Sequence, residues 1–269
     1  MDDERDLLPL PDRARLVLAQ QPLAVAICQV QFPEVQTVQD ATFIAAFQTA
    51  ISRTYPVASI QPRQIQVSMD PGGVRQQVSI QWAYADPDDT WHVVLAGDSL
   101  SLETRHYTHF EEFTERLQGV LTALFEHIRP SQIGRLGLRY VNEIRGSGMA
   151  WTDIIRNELL GSLADPALNE LTTQHIGEVQ LRAGEHHLVQ MRHGWFPQGT
   201  TVRPRAGESV SDQPFYLLDV DAFEDLSGSA TPGVDRDYLC ARVATFHRNI
   251  YRLFRWAVSD DYLQRLVER

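Results

Sequence analysis

Between Ile133 and Ile144 the side chains alternate sharply. Leu136, Leu138, Tyr140, Asn142 and Ile144 fall on one face of a strand, apolar except at Asn142, and Arg135, Arg139 and Glu143 fall on the other. A strand of this length belongs near the middle of a sheet. Before it, the pattern predicts an apolar strand from Leu23 to Phe32. A helix follows from an Asp40 cap to about Thr54, with Phe43, Ile44, Phe47 and Ile51 at helical spacing. Strands near 59–68, 74–85, 90–96 and 99–104 come next. The second of these sets Val78, Ile80, Trp82 and Tyr84 against Gln77, Ser79 and Gln81. Thr108-His-Phe-Glu111 reads as a capping box opening a helix to Ile128, which Pro130 ends.

After the central strand the order starts again. A helix is predicted over Trp151–Leu160, strands near 175–183, 186–195 and 214–221, a long helix over Asp235–Ala257 and a short one behind Ser259. Residues 1–20 read as an acidic, poorly packed lead with one helical turn around Asp12–Ala19. The expected class is α+β: an antiparallel sheet from two similar strand-helix-strands-helix halves, 21–131 and 132–269, with helices packed on one face. The two are expected to form one continuous domain.

Composition narrows function mainly by exclusion. A net charge of −11 over 269 residues argues against nucleic acid or anionic lipid as a direct partner. Every one of the 24 basic residues is arginine, which removes Schiff-base, P-loop and Ser-Lys chemistry. Cys28 and Cys240 read as buried hydrophobes. No apolar run reaches membrane-spanning length, and the first residues have no signal-peptide pattern, so a cytoplasmic setting is expected.

The predicted polar face collects amides, guanidiniums and a few other polar groups: Gln29, Gln31, Gln77, Ser79, Gln81, Arg135, Arg139, Glu143, Gln180, Arg182, Gln190 and Arg192. Arg203 and Arg205 lie in the long loop 196–214, which reads equally as a lid over this face or as a disordered segment. This face is the expected binding surface for a small anionic ligand or a protein partner. The competing reading pairs Arg135, Arg139 and Glu143 among themselves. Asn142 must find a partner for its buried amide. His187 and His193 share a strand face about 20 Å apart at a rise near 3.3 Å per residue, so no shared metal is expected, and no cofactor motif is present. Asp219 and Asp221 share a face and support the alternative, a metal-dependent hydrolase or nuclease-like enzyme. The favoured expectation is a non-enzymatic binding or adaptor protein, in which an oligomer would also fit.

Several stretches together resemble a sporadically distributed bacterial family of uncharacterised proteins. They are the Pro22-Leu23 strand ending at Phe32, Leu102-Glu-Thr104 with Tyr107 and Phe110, and Arg135-Leu-Gly-Leu-Arg-Tyr-Val-Asn142. Leu218-Asp-Val-Asp221 and Phe246-His247 with Phe254 complete the set, and Phe246 departs from the leucine the pattern favours. The resemblance implies a bacterial cytoplasmic protein with no established activity and no catalytic residues to carry over. Its patchy distribution would suit defence-linked genes.

Overall fold

The computed structural model describes residues 6–70, 73–146, 148–200, 211–227 and 234–267, with 62–79 described by backbone alone. Among them nine strands occur: β1 (Leu23–Gln31), β2 (Val57–Asp70), β3 (Gly73–Ala85), β4 (Trp91–Ala96), β5 (Ser99–Thr104), β6 (Arg135–Arg145), β7 (His175–Arg182), β8 (His187–Phe196) and β9 (Phe215–Asp225). The α-helices are α1 (Ala41–Ile51), α2 (Phe110–Ala123), α3 (Trp151–Ile154), α4 (Asn157–Leu160), α5 (Arg236–Ala257) and α6 (Asp260–Val267). The strands form one antiparallel sheet in the order β2-β3-β4-β5-β1-β6-β9-β8-β7. The fold is therefore α+β, and the order strand, helix, strands, helix occurs twice. Each opening strand lies beside the last strand of its own series, β1 beside β5 and β6 beside β9. Two compact units interleave along the chain. An inner unit comprises Val25–Leu138 and Phe223–Ala244, and a terminal unit comprises Met1–Ala24, Arg139–Ala222 and Thr245–Arg269.

In the inner unit the helices start where side chains take up free amides. The Asp40 carboxylate accepts from the Thr42 amide and caps α1. Ile44, Phe47 and Ile51 then point into the core. Phe47 meets the Tyr84 ring at 6.0 Å, and the Trp82 indole donates to the Val38 carbonyl at 2.7 Å. At α2 the cap is His109 rather than Thr108. The His109 Nδ1 accepts from the Glu112 amide at 3.0 Å, while the Thr108 hydroxyl donates to the Glu112 side chain. The helix then widens to a π turn over Leu124–Ile128 and stops at Arg129, which is left-handed with φ 54°.

In the terminal unit, Tyr140, Asn142 and Ile144 of β6 are buried on the face that alternation predicts. The Tyr140 hydroxyl lies 3.1 Å from His247 Nδ1 on α5, which fixes that face as the helix-covered one. Asn142 donates to the Leu218 carbonyl at 3.1 Å, satisfying its buried amide.

Two local expectations are corrected here. The 151–160 stretch is two one-turn helices separated by Ile155 and Arg156. Ile155 bridges Val258 and the Arg156 amide donates to the Ala257 carbonyl, so partners on α5 and just beyond it take the bonds a continuous helix needs. Residues 12–19 carry no helical turn, and the segment is well tied. Asn249 of α5 accepts from the Leu8 amide at 2.8 Å and donates to the Asp6 carbonyl. Arg252 donates to the Leu8 carbonyl and to Asp12, Arg255 donates to the Ala14 carbonyl, and the Ala19 amide donates to the Leu266 carbonyl. Side chains of α5 thus satisfy the strap's backbone in place of its own helix.

Candidate functional site

The face of the terminal unit opposite α5 carries the charges picked out by sequence, and the structure shows how they are engaged. Arg139 Nε and one terminal nitrogen grip the two oxygens of Asp219 at 2.7 and 2.6 Å. The geometry is the planar two-bond fork that suits guanidinium and carboxylate. Asp219 is 8% exposed and Arg139 is 42% exposed, so the pair sets a rigid guanidinium on a nearly covered carboxylate. Farther along the strand, Arg145 lies 3.6 Å from Glu143 and 3.3 Å from Asp212.

The paired hairpin β7–β8 extends this polar face. Its register sets Glu178 opposite Arg192 and Gln180 opposite Gln190. Glu178 accepts from Gln190 at 2.5 Å and from Arg192 at 3.0 Å. These two bonds, Gln190 first, hold its carboxyl below the ordinary glutamate value. Both members of the Arg192–Glu178 pair are about half exposed, so water screens the pair and it adds little to the stability of the fold. Arg182, Gln180 and Ile176 share the exposed side of β7.

The inner unit carries the rest of the predicted set on its own elements. Arg135 stacks its guanidinium 4.3 Å above the Phe223 ring. Gln81 donates to Gln61, its cross-strand neighbour, at 3.2 Å, and Gln31 donates to Gln29 at 3.0 Å. Gln77 and Ser79 have no described side chain, and Arg203 and Arg205 lie outside the described residues. The expected grouping is therefore resolved into engaged pairs: Arg139 with Asp219, Arg192 with Glu178, Arg135 with Phe223.

The sequence reading missed a buried chain of hydrogen bonds on the opposite face of the terminal unit. Tyr216 donates to the Leu159 carbonyl at 2.7 Å, and that carbonyl also lies 2.9 Å from His175 Nε2. With its proton committed there, Tyr216 oxygen accepts from His193 Nδ1 at 2.7 Å, which assigns the tautomer. The His175 and His193 rings lie 5.8 Å apart. Burial, and then the nearby His175, push the His193 pKa below the ordinary histidine value. The available signal was Gly177, cross-strand from His193, where a Cβ would come within 2.5 Å of the His193 ring. His187 is buried elsewhere, its ring 4.7 Å from that of Phe246.

Asp219, half of the enzymatic alternative, has both oxygens occupied by Arg139. Asp221 lies two residues on and is half-buried. No helix among the described residues is long and apolar enough to cross a membrane. No protein-family model matches the chain, and no curated protein is significantly similar to it.

Proposed function

We propose that the protein is a non-enzymatic binding or adaptor protein, and that the polar sheet face of its terminal unit receives a protein partner. The observation that carries this reading is the Arg139–Asp219 pair. A half-exposed guanidinium held rigid by two bonds can donate further at little cost in side-chain entropy, which is why arginine is enriched where proteins bind. A free anion is a poorer fit, because the Asp219 carboxylate already neutralises the guanidinium it would bind. The hydrolase reading draws less support, since general acid or base work by Asp219 would first require Arg139 to let go. The motif resemblance supports a bacterial, cytoplasmic setting and a place in a multi-protein, defence-linked assembly.

The test is quantitative co-purification from cells expressing the gene at its native locus. Arg139→Met/Asp219→Leu removes the pair while keeping apolar volume in the strands, a replacement that is close to neutral for folding. Recovery of a specific partner should fall at least about tenfold, the equivalent of one lost hydrogen bond to a charged group. Unchanged recovery by a folded variant would reject the face.

A further inference from the structure

A second site stands apart from the sheet face, within the inner unit. Between α1 and α2 a cleft of about 380 Å³ is lined by Ile51, Thr54 and Tyr55 on one side and by Glu112, Glu115, Arg116 and Gly119 on the other. That volume lies in the range of small-molecule sites.

Three features of the lining point to an occupant. First, Tyr55 is 3% exposed; the Arg116 guanidinium lies within donating reach of its oxygen, and no acceptor takes its hydroxyl proton. A buried hydroxyl proton without an acceptor is destabilising. Burial raises its pKa, with Arg116 and Glu112 both close enough to act on it, so the proton stays on the oxygen and the group is a donor. Second, the charges in the cleft are committed unequally. Arg116 pairs with Glu112 at 3.2 Å and covers the Trp91 ring at 4.4 Å, and Glu112 also accepts from Thr108. Among the described residues Glu115 has no ion-pair partner. Third, Gly119 sits inside a helix, where glycine is destabilising relative to alanine. Nothing within 4 Å would obstruct a Cβ there, so neighbouring atoms do not require the glycine, and the space above it belongs to the cleft.

We propose that this cleft binds a small primary amine bearing an acceptor oxygen, with the ammonium against Glu115, the oxygen accepting from Tyr55, and an apolar stem along Ile51 and Val120. The local charge selects a cation. Glu112 and Glu115 against Arg116 leave the cleft one negative charge in excess, which a monocation neutralises and an anion would double.

Leucinamide has the required parts: isoamylamine lacks the oxygen, isovaleramide lacks the amine and its carbon, and isovalerate lacks them too and carries a carboxylate in place of the amide. Titration calorimetry at low salt on the full chain should show saturable binding of leucinamide at millimolar concentration or below. Isoamylamine and isovaleramide should each bind at least about fivefold more weakly, and isovalerate should not bind. Glu115→Gln should weaken leucinamide about tenfold and leave isovaleramide unchanged. Tyr55→Phe should weaken leucinamide and leave isoamylamine unchanged. Gly119→Leu, which improves the helix and fills the cleft, should abolish binding in a folded protein. Failure of leucinamide to bind the unmodified chain would overturn the proposal, as would tighter binding of isovalerate or full binding by Gly119→Leu.

Discussion

Asp219 lies beneath a guanidinium that holds both of its oxygens, and truncating Arg139 would leave that carboxylate covered and without its fork. Arg139→Ala should cost about 1.5–3 kcal/mol, read as a lower urea midpoint at constant m-value. Arg139→Met/Asp219→Leu should recover most of the loss. A second residue-scale consequence concerns acid. His193 is neutral within the chain His193–Tyr216–Leu159 carbonyl and its pKa is depressed, burial being the first cause and His175 the second. The unfolded chain therefore takes up this proton more readily than the folded one. The contribution is fully present above the ordinary histidine value of about 6.5 and is lost as pH falls through the lower folded value. Melting temperature should drop between pH 7.5 and 5.5, a window above most carboxylate titration, and His193→Gln should flatten that drop. An equal slope in the variant would show that other groups govern it.

The elements show where a chain speaks for itself. Period-two alternation was enough to place Tyr140, Asn142 and Ile144 on the covered face of β6, and helical spacing was enough to turn Ile44, Phe47 and Ile51 of α1 inward. Both are properties of one segment. The 151–160 stretch failed for the opposite reason, because the Ser259 amide and the Ala257 carbonyl claim the Ile154 carbonyl and the Arg156 amide. The candidate site divides in the same way. Which residues lie on the polar face could be read from parity, but the partners Asp219, Glu178 and Phe223 depend on strand order and register, which no single strand encodes. The strap from Asp6 to Ala19 belongs to this second group, since its conformation is set by Asn249, Arg252 and Arg255. The Arg252 bond to Asp12, its first cause, keeps that carboxyl below the ordinary aspartate range. Arg252→Ala removes this bond and the one to the Leu8 carbonyl. Limited proteolysis within 6–20 should then be about 10–100-fold faster. An unchanged cleavage rate would mean that the remaining ties at Leu8, Asn249, Arg255 and Leu266 hold the strap without Arg252.

At the level of the whole molecule, both compact units are assembled from distant pieces of chain, and β6, β9 and α5 each contribute to both. Fragments cut at 131/132 should therefore show no cooperative melt when separate, because the inner unit would lose Gln132–Leu138 and Phe223–Ala244, and with them the bond from Arg236 to Thr122 at 3.3 Å. Circular dichroism of each fragment checks this, and two independent melts would contradict it. The strap carries the same long-range dependence into biosynthesis. Leu8 bonds to a residue 241 positions later. At roughly 5–20 residues per second, a ribosome needs on the order of 12–50 s to deliver that partner. For all of that interval the strap has no docking site, so a chaperone or processing enzyme that meets it during translation meets a free segment that the finished protein holds against α5.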